Sequence, residues 1–138
     1  MADLSRFHGA QKYDYDIALS EIKNGRKMSC WMWYIFPQLK GLGTSSMAQY
    51  YGISDLQEAR EYMEDKKLRS NLLEISEALL QLDTDDAVAV MGAPDNLKLR
   101  SCMTLFKEAT PDEKVFSAVL DKFFHGKEDP VTLEKCRL

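Results

Sequence analysis

Cys30-Trp31-Met32-Trp33-Tyr34-Ile35-Phe36-Pro37-Gln38-Leu39-Lys40-Gly41-Leu42-Gly43-Thr44-Ser45-Ser46 is the stretch on which the fold class turns. Its apolar run, Trp31 to Phe36, is short enough to be either a buried strand or a short buried helix, and periodicity cannot separate the two at that length. No second strand stands nearby to pair with it. Ser29 is a candidate cap and Pro37 a natural stop, so the run reads as a short helix and the whole chain as all-α. The same stretch holds both tryptophans, then a proline, two glycines and three hydroxyl side chains. Large aromatics fill a core or wall a pocket, while Gly and Pro set a tight backbone path. An aromatic floor beside a polar loop is a common way to build a ligand pocket. The plainer alternative is core packing, followed by a turn whose hydroxyls cap a helix starting at Ser46.

Outward from this stretch the pattern stays helical. Tyr15, Ala18, Leu19 and Ile22 fall at i, i+3, i+4 and i+7, with Asp14 as cap and Gly25 as stop. A shorter helix from Leu4 to about Gln11 precedes them. A short helix from Ser46 to Tyr51 ends at Gly52. Ser54-Asp55-Leu56-Gln57 reads as a capping box for a helix to about Glu64. Leu68, Leu72, Ile75, Leu79 and Leu82 alternate steps of four and three, the clearest amphipathic pattern in the chain. Thr84 and Asp85 are caps for a short helix through Met91; its alternating Val88 and Val90 are too brief for a convincing strand. Pro94 suits the first turn of a helix to about Glu108. Thr110-Pro111-Asp112-Glu113 offers cap, N1 proline and N3 glutamate for a helix burying Phe116, Val119, Leu120, Phe123 and Phe124, which Gly126 ends. Asp129-Pro130 repeats that start signal. The expectation is one all-α domain over residues 1–138, with about seven to nine helices joined by short turns.

Composition agrees. A chain of 138 residues is one domain by size and buries roughly 68% of its unfolded surface, so it needs no disulfide or metal to fold. A net charge of −4 disfavours nonspecific nucleic-acid binding. Cys30, Cys102 and Cys136 are odd in number and lack metal-ligand spacing, which predicts a reduced, cytoplasmic protein. Residues 1–11 hold no signal-peptide core, and no apolar run is long enough to span a membrane.

Two segments hold the candidate site. In the first, Trp31, Trp33 and Tyr34 would form an aromatic wall. Gln38 and the loop of Gly41, Gly43, Thr44, Ser45 and Ser46 would bind polar or anionic groups through side chains and backbone N–H. Gly41-Leu42-Gly43 is not a dinucleotide fingerprint, because no strand precedes it and the third glycine is absent. In the second, Leu99, Met103 and Phe106 share a core-facing stripe, with Asp95, Lys98 and Cys102 along one edge and Ser101 further round. Lys98 would clamp an anion, Asp95 would act as acid, base or acceptor, and Ser101 and Thr104 would support them. The plainer reading is an Asp95–Lys98 i,i+3 pair beside a core stripe.

Standard catalytic schemes find little here. His125 sits near a helix end, where a cation suits the dipole, and His8 is a surface residue near Arg6 and Gln11. Cys30 near a helix N-terminus has no identifiable base. No metal or cofactor is expected and catalytic residues are not assigned. The mixed charges from Glu58 to Arg69 read as a solvated face.

The order Arg6-Phe7, Ala10-Gln11, Trp31 to Gln38, Gly41-Leu42-Gly43, Asp95, Lys98, Ser101, Met103-Thr104-Leu105-Phe106, Phe123-Phe124-His125-Gly126 and Asp129 resembles the domain of unknown function 1810 family over nearly the whole chain. The resemblance implies a compact all-helical domain and no assigned activity. It links the two segments, which recur together as the family's signature. It also implies a departure: a histidine often precedes the first tryptophan, where this chain has Cys30. The functional expectation is a domain that binds or processes a small polar anionic ligand, such as a nucleotide or sugar phosphate, between the two segments. The alternative is a peptide- or protein-interaction module with an aromatic-lined groove.

Overall fold

Leu68, Leu72, Ile75 and Leu79 form the buried face of α5 (Lys66–Leu80). They meet two other apolar stripes: Phe7, Tyr15, Ala18 and Ile22 of α1 (Ser5–Lys23), and Phe116, Val119, Leu120 and Phe123 of α8 (Lys114–Phe124). The most enclosed element is α7 (Asp95–Ala109). It packs against α4 (Leu56–Glu64), α6 (Ala87–Met91), α8 and α9 (Pro130–Cys136). Its Leu99, Cys102, Met103, Leu105 and Phe106 are wholly buried. Two short helices, α2 (Met32–Ile35) and α3 (Ser46–Tyr51), complete the domain. This computed structural model describes residues 2–137; among them the chain is all-α, with nine helices.

The Trp31–Phe36 run is indeed a helical turn, and Pro37 follows its end. Extended pairing among the described residues is confined to one parallel bridge, Leu39 to Ile53. The Lys40 N–H donates to Ile53 O at 2.7 Å and the Ile53 N–H to Gln38 O at 2.9 Å. These two bonds fasten the base of the loop that carries Gly41 and Gly43.

Several helix ends differ from their expected places, two because a side chain found a distant partner and the others through a different local bond or a shift of one to four residues. Asp14 caps nothing: α1 runs through it unbroken, and its carboxylate accepts the Tyr34 hydroxyl. Ser29 does not cap α2; its hydroxyl donates to Glu21. The capping box lies one residue on, with Asp55 accepting from the Glu58 N–H and Glu58 accepting from the Ser54 N–H, both at 2.8 Å. Asp86, not Thr84 or Asp85, caps α6. Pro94 immediately precedes the first residue of α7 instead of occupying its first turn. Thr110 closes α7 by donating to Phe106 O at 2.7 Å, so α8 starts after Glu113, without a side-chain cap. Asp129 does cap α9, accepting from the Thr132 N–H, with Pro130 in the first turn.

One polar network crosses the core. Gln11 Nε2 donates to Tyr34 O at 2.8 Å and to the Tyr62 hydroxyl at 2.9 Å, and Asn71 Nδ2 donates to Gln11 Oε1 at 2.9 Å. Because the Tyr34 acceptor is a carbonyl, Gln11 must present its amino group there, which leaves its oxygen for Asn71. The network joins α1, α2, α4 and α5 and fixes where the turn bearing Trp33 sits.

Candidate functional site

Two tryptophans two residues apart around one helical turn point in nearly opposite directions. Trp31 points inward: it is 1% exposed, and its indole N–H donates to Glu21 Oε1 at 2.8 Å. Glu21 also accepts from the N–H groups of Met28 and Ser29, so the end of α1 holds the chain leading into α2. Trp33 points the other way and is half-buried. It forms one wall of a cleft of about 350 Å³. Gln38, Gly41, Leu42 and Gly43 line the loop side. Across from them stand Leu97, Lys98, Arg100 and Ser101 of α7, with Asp129 and Val131 at the start of α9.

Glycine is needed at Gly41, whose φ of +98° lies in the left-handed region. On the opposite wall, Lys98 Nζ lies 4.0 Å from the centroid of the Trp33 ring and donates to Asp95 Oδ1 at 3.0 Å. Lys27, from the α1–α2 connection, reaches the other Asp95 oxygen at 2.9 Å. Arg100 lies 3.6 Å from Asp129 Oδ1. Asp129 Oδ2 accepts the hydroxyls of Ser101 at 2.9 Å and Thr132 at 2.6 Å.

Both carboxyls titrate low. Burial pushes Asp95 up, but the hydrogen bonds and charges of Lys27 and Lys98 outweigh it and hold it below the usual carboxylate range. At Asp129 burial is likewise outweighed, by the bonds from Thr132 and Ser101 and by Arg100. A carboxyl depressed in the folded state is protonated first in the unfolded one. Its stabilisation is therefore present above the ordinary value of 3.8 and lost as pH falls through the lower folded value. Asp129→Asn should lower the melting temperature near pH 7 and flatten its decline below about pH 4, as a thermal melt series against pH would read.

Of the residues singled out from the sequence, Trp33, Gln38, Gly41, Gly43, Lys98 and Ser101 share this cleft, and Asp95 braces it through Lys98. The others lie elsewhere. Trp31 is core. Tyr34 is 7% exposed, with its hydroxyl spent on Asp14. Thr104 is wholly buried, donating to Arg100 O and accepting from the Asp129 N–H. Thr44, Ser45 and Ser46 are exposed and do not line the cleft, and Ser45 caps α3 through the Ala48 N–H. Cys30 is exposed and Cys102 buried. His8 pairs with Asp65 at 2.7 Å, and His125 is the left-handed cap of α8. Sequence reasoning missed Leu97 and Arg100, although Leu97, Arg100 and Ser101 fall at i, i+3 and i+4, one face of a helix. It also missed Lys27, for which no local signal exists. Among the described residues no group of three or more His, Cys, Asp or Glu side chains could hold a metal, and no helix is long and apolar enough to cross a membrane.

The structure is similar to the crystal structure of the conserved hypothetical protein Rv1873 from Mycobacterium tuberculosis. The TM-score is 0.96 at 41% sequence identity, over 99% of this chain and 97% of that one. No curated protein matches the chain. Residues 1–136 match the family described as protein of unknown function (DUF1810). With that match running from end to end of the helical domain, the chain belongs to the DUF1810 family.

Proposed function

We propose that the cleft between the Gln38–Gly43 loop and α7 binds a small polar anionic ligand, such as a nucleotide or a sugar phosphate. The observation that supports this reading is the convergence of one aromatic ring, two cations and a glycine loop on a single cleft. Trp33 offers a face for a planar or sugar ring, Lys98 and Arg100 offer charge, and Gln38 and Ser101 offer hydrogen bonds. Binding is assigned ahead of catalysis. A general base works best with a pKa near the operating pH, whereas Asp95 and Asp129 are held low and already hydrogen-bonded. The three free thiols suit a reducing compartment such as the cytoplasm.

Thermal-shift measurements with AMP, ADP-ribose and ribose 5-phosphate test this reading. A ligand at about ten times its Kd adds about 1.4 kcal/mol, which at this chain length is a rise of roughly 4 °C. Arg100→Ala should abolish the shift, read against that variant's own unliganded melting point, which falls somewhat with loss of the 3.6 Å ion pair to Asp129. If none of the three ligands shifts the protein at millimolar concentration, the proposal fails. A peptide partner is the second reading, favoured by Leu97 and Val131, which stand 50% and 46% exposed on the rim. Leu97→Ser, which removes the apolar side chain without adding charge, would abolish a peptide contact and spare a phosphate ligand.

A further inference from the structure

One face of the Trp33 ring is not vacant, because the Lys98 ammonium sits 4.0 Å from its centroid, and both residues line the same cleft. A planar ligand stacked on that face and the ammonium cannot occupy the same position. We infer that Lys98 is a displaceable plug on Trp33, so that the cleft admits a planar ring only when the ring carries its own anionic group. This inference rests on the ligand reading above and narrows it to a substrate class, aromatic anions.

The geometry around Asp95 explains why the plug can move. Asp95 is bonded by two lysines, one on each carboxylate oxygen: Lys27 at 2.9 Å and Lys98 at 3.0 Å. The Lys27 side chain is the more enclosed, 11% exposed against 22% for Lys98. When Lys98 swings away, Asp95 keeps a buried cationic partner, so no carboxylate is stranded. A neutral ring must expel the ammonium from the indole face and gives it nothing in return. An anionic ring supplies a phosphate or carboxylate to which the same ammonium can turn, so one side chain stops covering the ring and starts holding the ligand. Arg100, which lines the same cleft and pairs with Asp129 at 3.6 Å, is a second cation available to that anion. The plug therefore acts as a filter: it charges a neutral ring for entry and favours an anionic one.

Calorimetric titration of the wild-type protein and Lys98→Ala with AMP and with adenosine tests this. AMP should bind the wild type at least tenfold more tightly than adenosine. In Lys98→Ala, AMP should weaken by about tenfold or more, the weight of one charge-assisted hydrogen bond. Adenosine should tighten by about fivefold, the weight of one exposed cation–π contact. Lys98→Ser repeats the test should the alanine variant melt early. If AMP binds the wild type but adenosine is unchanged or weakened by the substitution, Lys98 is a staple between α2 and α7 and the inference is overturned. Adenosine binding the wild type as tightly as AMP overturns it as well. If neither compound binds the wild type or either variant, the nucleotide reading of the cleft falls and takes the plug with it.

Discussion

Gly52→Ala should destabilise the protein by about 3 kcal/mol, at the upper end of what overpacking costs. A Cβ at this position would lie 2.7 Å from both Cα and Cβ of Lys40 and 2.8 Å from the carbonyl oxygen of Ala48. Two of those atoms are backbone and cannot rotate aside. The Gly52 dihedrals, φ −58° and ψ 136°, are open to any residue, so the cost is contact alone and not conformation. The displaced segment, at Lys40, is the one that pairs with Ile53, so the damage reaches the Leu39–Ile53 bridge and the Gln38–Gly43 wall of the cleft. Urea unfolding would measure the loss. Gly9→Ala is the control. Gly9 lies inside α1, and a Cβ there meets nothing within 4 Å. That substitution should raise stability by about 0.8 kcal/mol through helix propensity. If the two variants were equally stable, steric closure at Gly52 would be refuted.

Gln11→Leu should cost a similar amount, about 3 kcal/mol, and lower the melting temperature by roughly 10 °C. Leucine fills the space but offers neither donor nor acceptor. The Tyr34 carbonyl, the Tyr62 hydroxyl and the Asn71 amino group each lose the partner of a buried hydrogen bond. Gln11→Glu is the sharper arm because it keeps the shape. Ionised, it turns a carboxylate oxygen toward the Tyr34 carbonyl in place of an N–H. Protonated, it regains one donor. Its folded pKa is thereby raised above the ordinary glutamate value of about 4.3, so its deficit relative to wild type should grow as pH rises above that value and shrink toward it. Paired melts at about pH 4.5 and pH 7.5 would read the difference. An unchanged deficit would mean that Gln11 acts by packing and not as a donor.

The fold was legible where short-range periodicity carried it. The 68–72–75–79 stripe on α5 and the Phe116–Phe123 stripe on α8 are local facts, and the core follows from them. Helix ends were less legible, because a polar side chain chooses between its own backbone and a distant partner. Asp14 reads as a cap until Tyr34 is known to lie beside it, and Thr110 reads as a start until its hydroxyl is seen to close α7. The cleft was half legible. The two segments that line it stood out, yet a single helical turn has no periodicity from which to tell Trp31 from Trp33. Helix geometry required one of them to face away from the core; which one depended on Glu21 waiting for the Trp31 indole. Lys27 pairs with Asp95 across 68 residues of chain, and nothing local announces such a contact.

The bridge between Leu39 and Ile53 makes the intervening segment a drawstring loop, cinched at its neck and free at its tip. Its mouth is held by two backbone bonds and by Gly52, while residues 44–47 stand in solvent. Doubling the length of such a loop costs only about 0.6 kcal/mol in closure entropy. The loop tip beyond Gly43 can therefore be lengthened or exchanged without reopening the domain beneath it, while Gly41 to Gly43 keep their place beside the cleft.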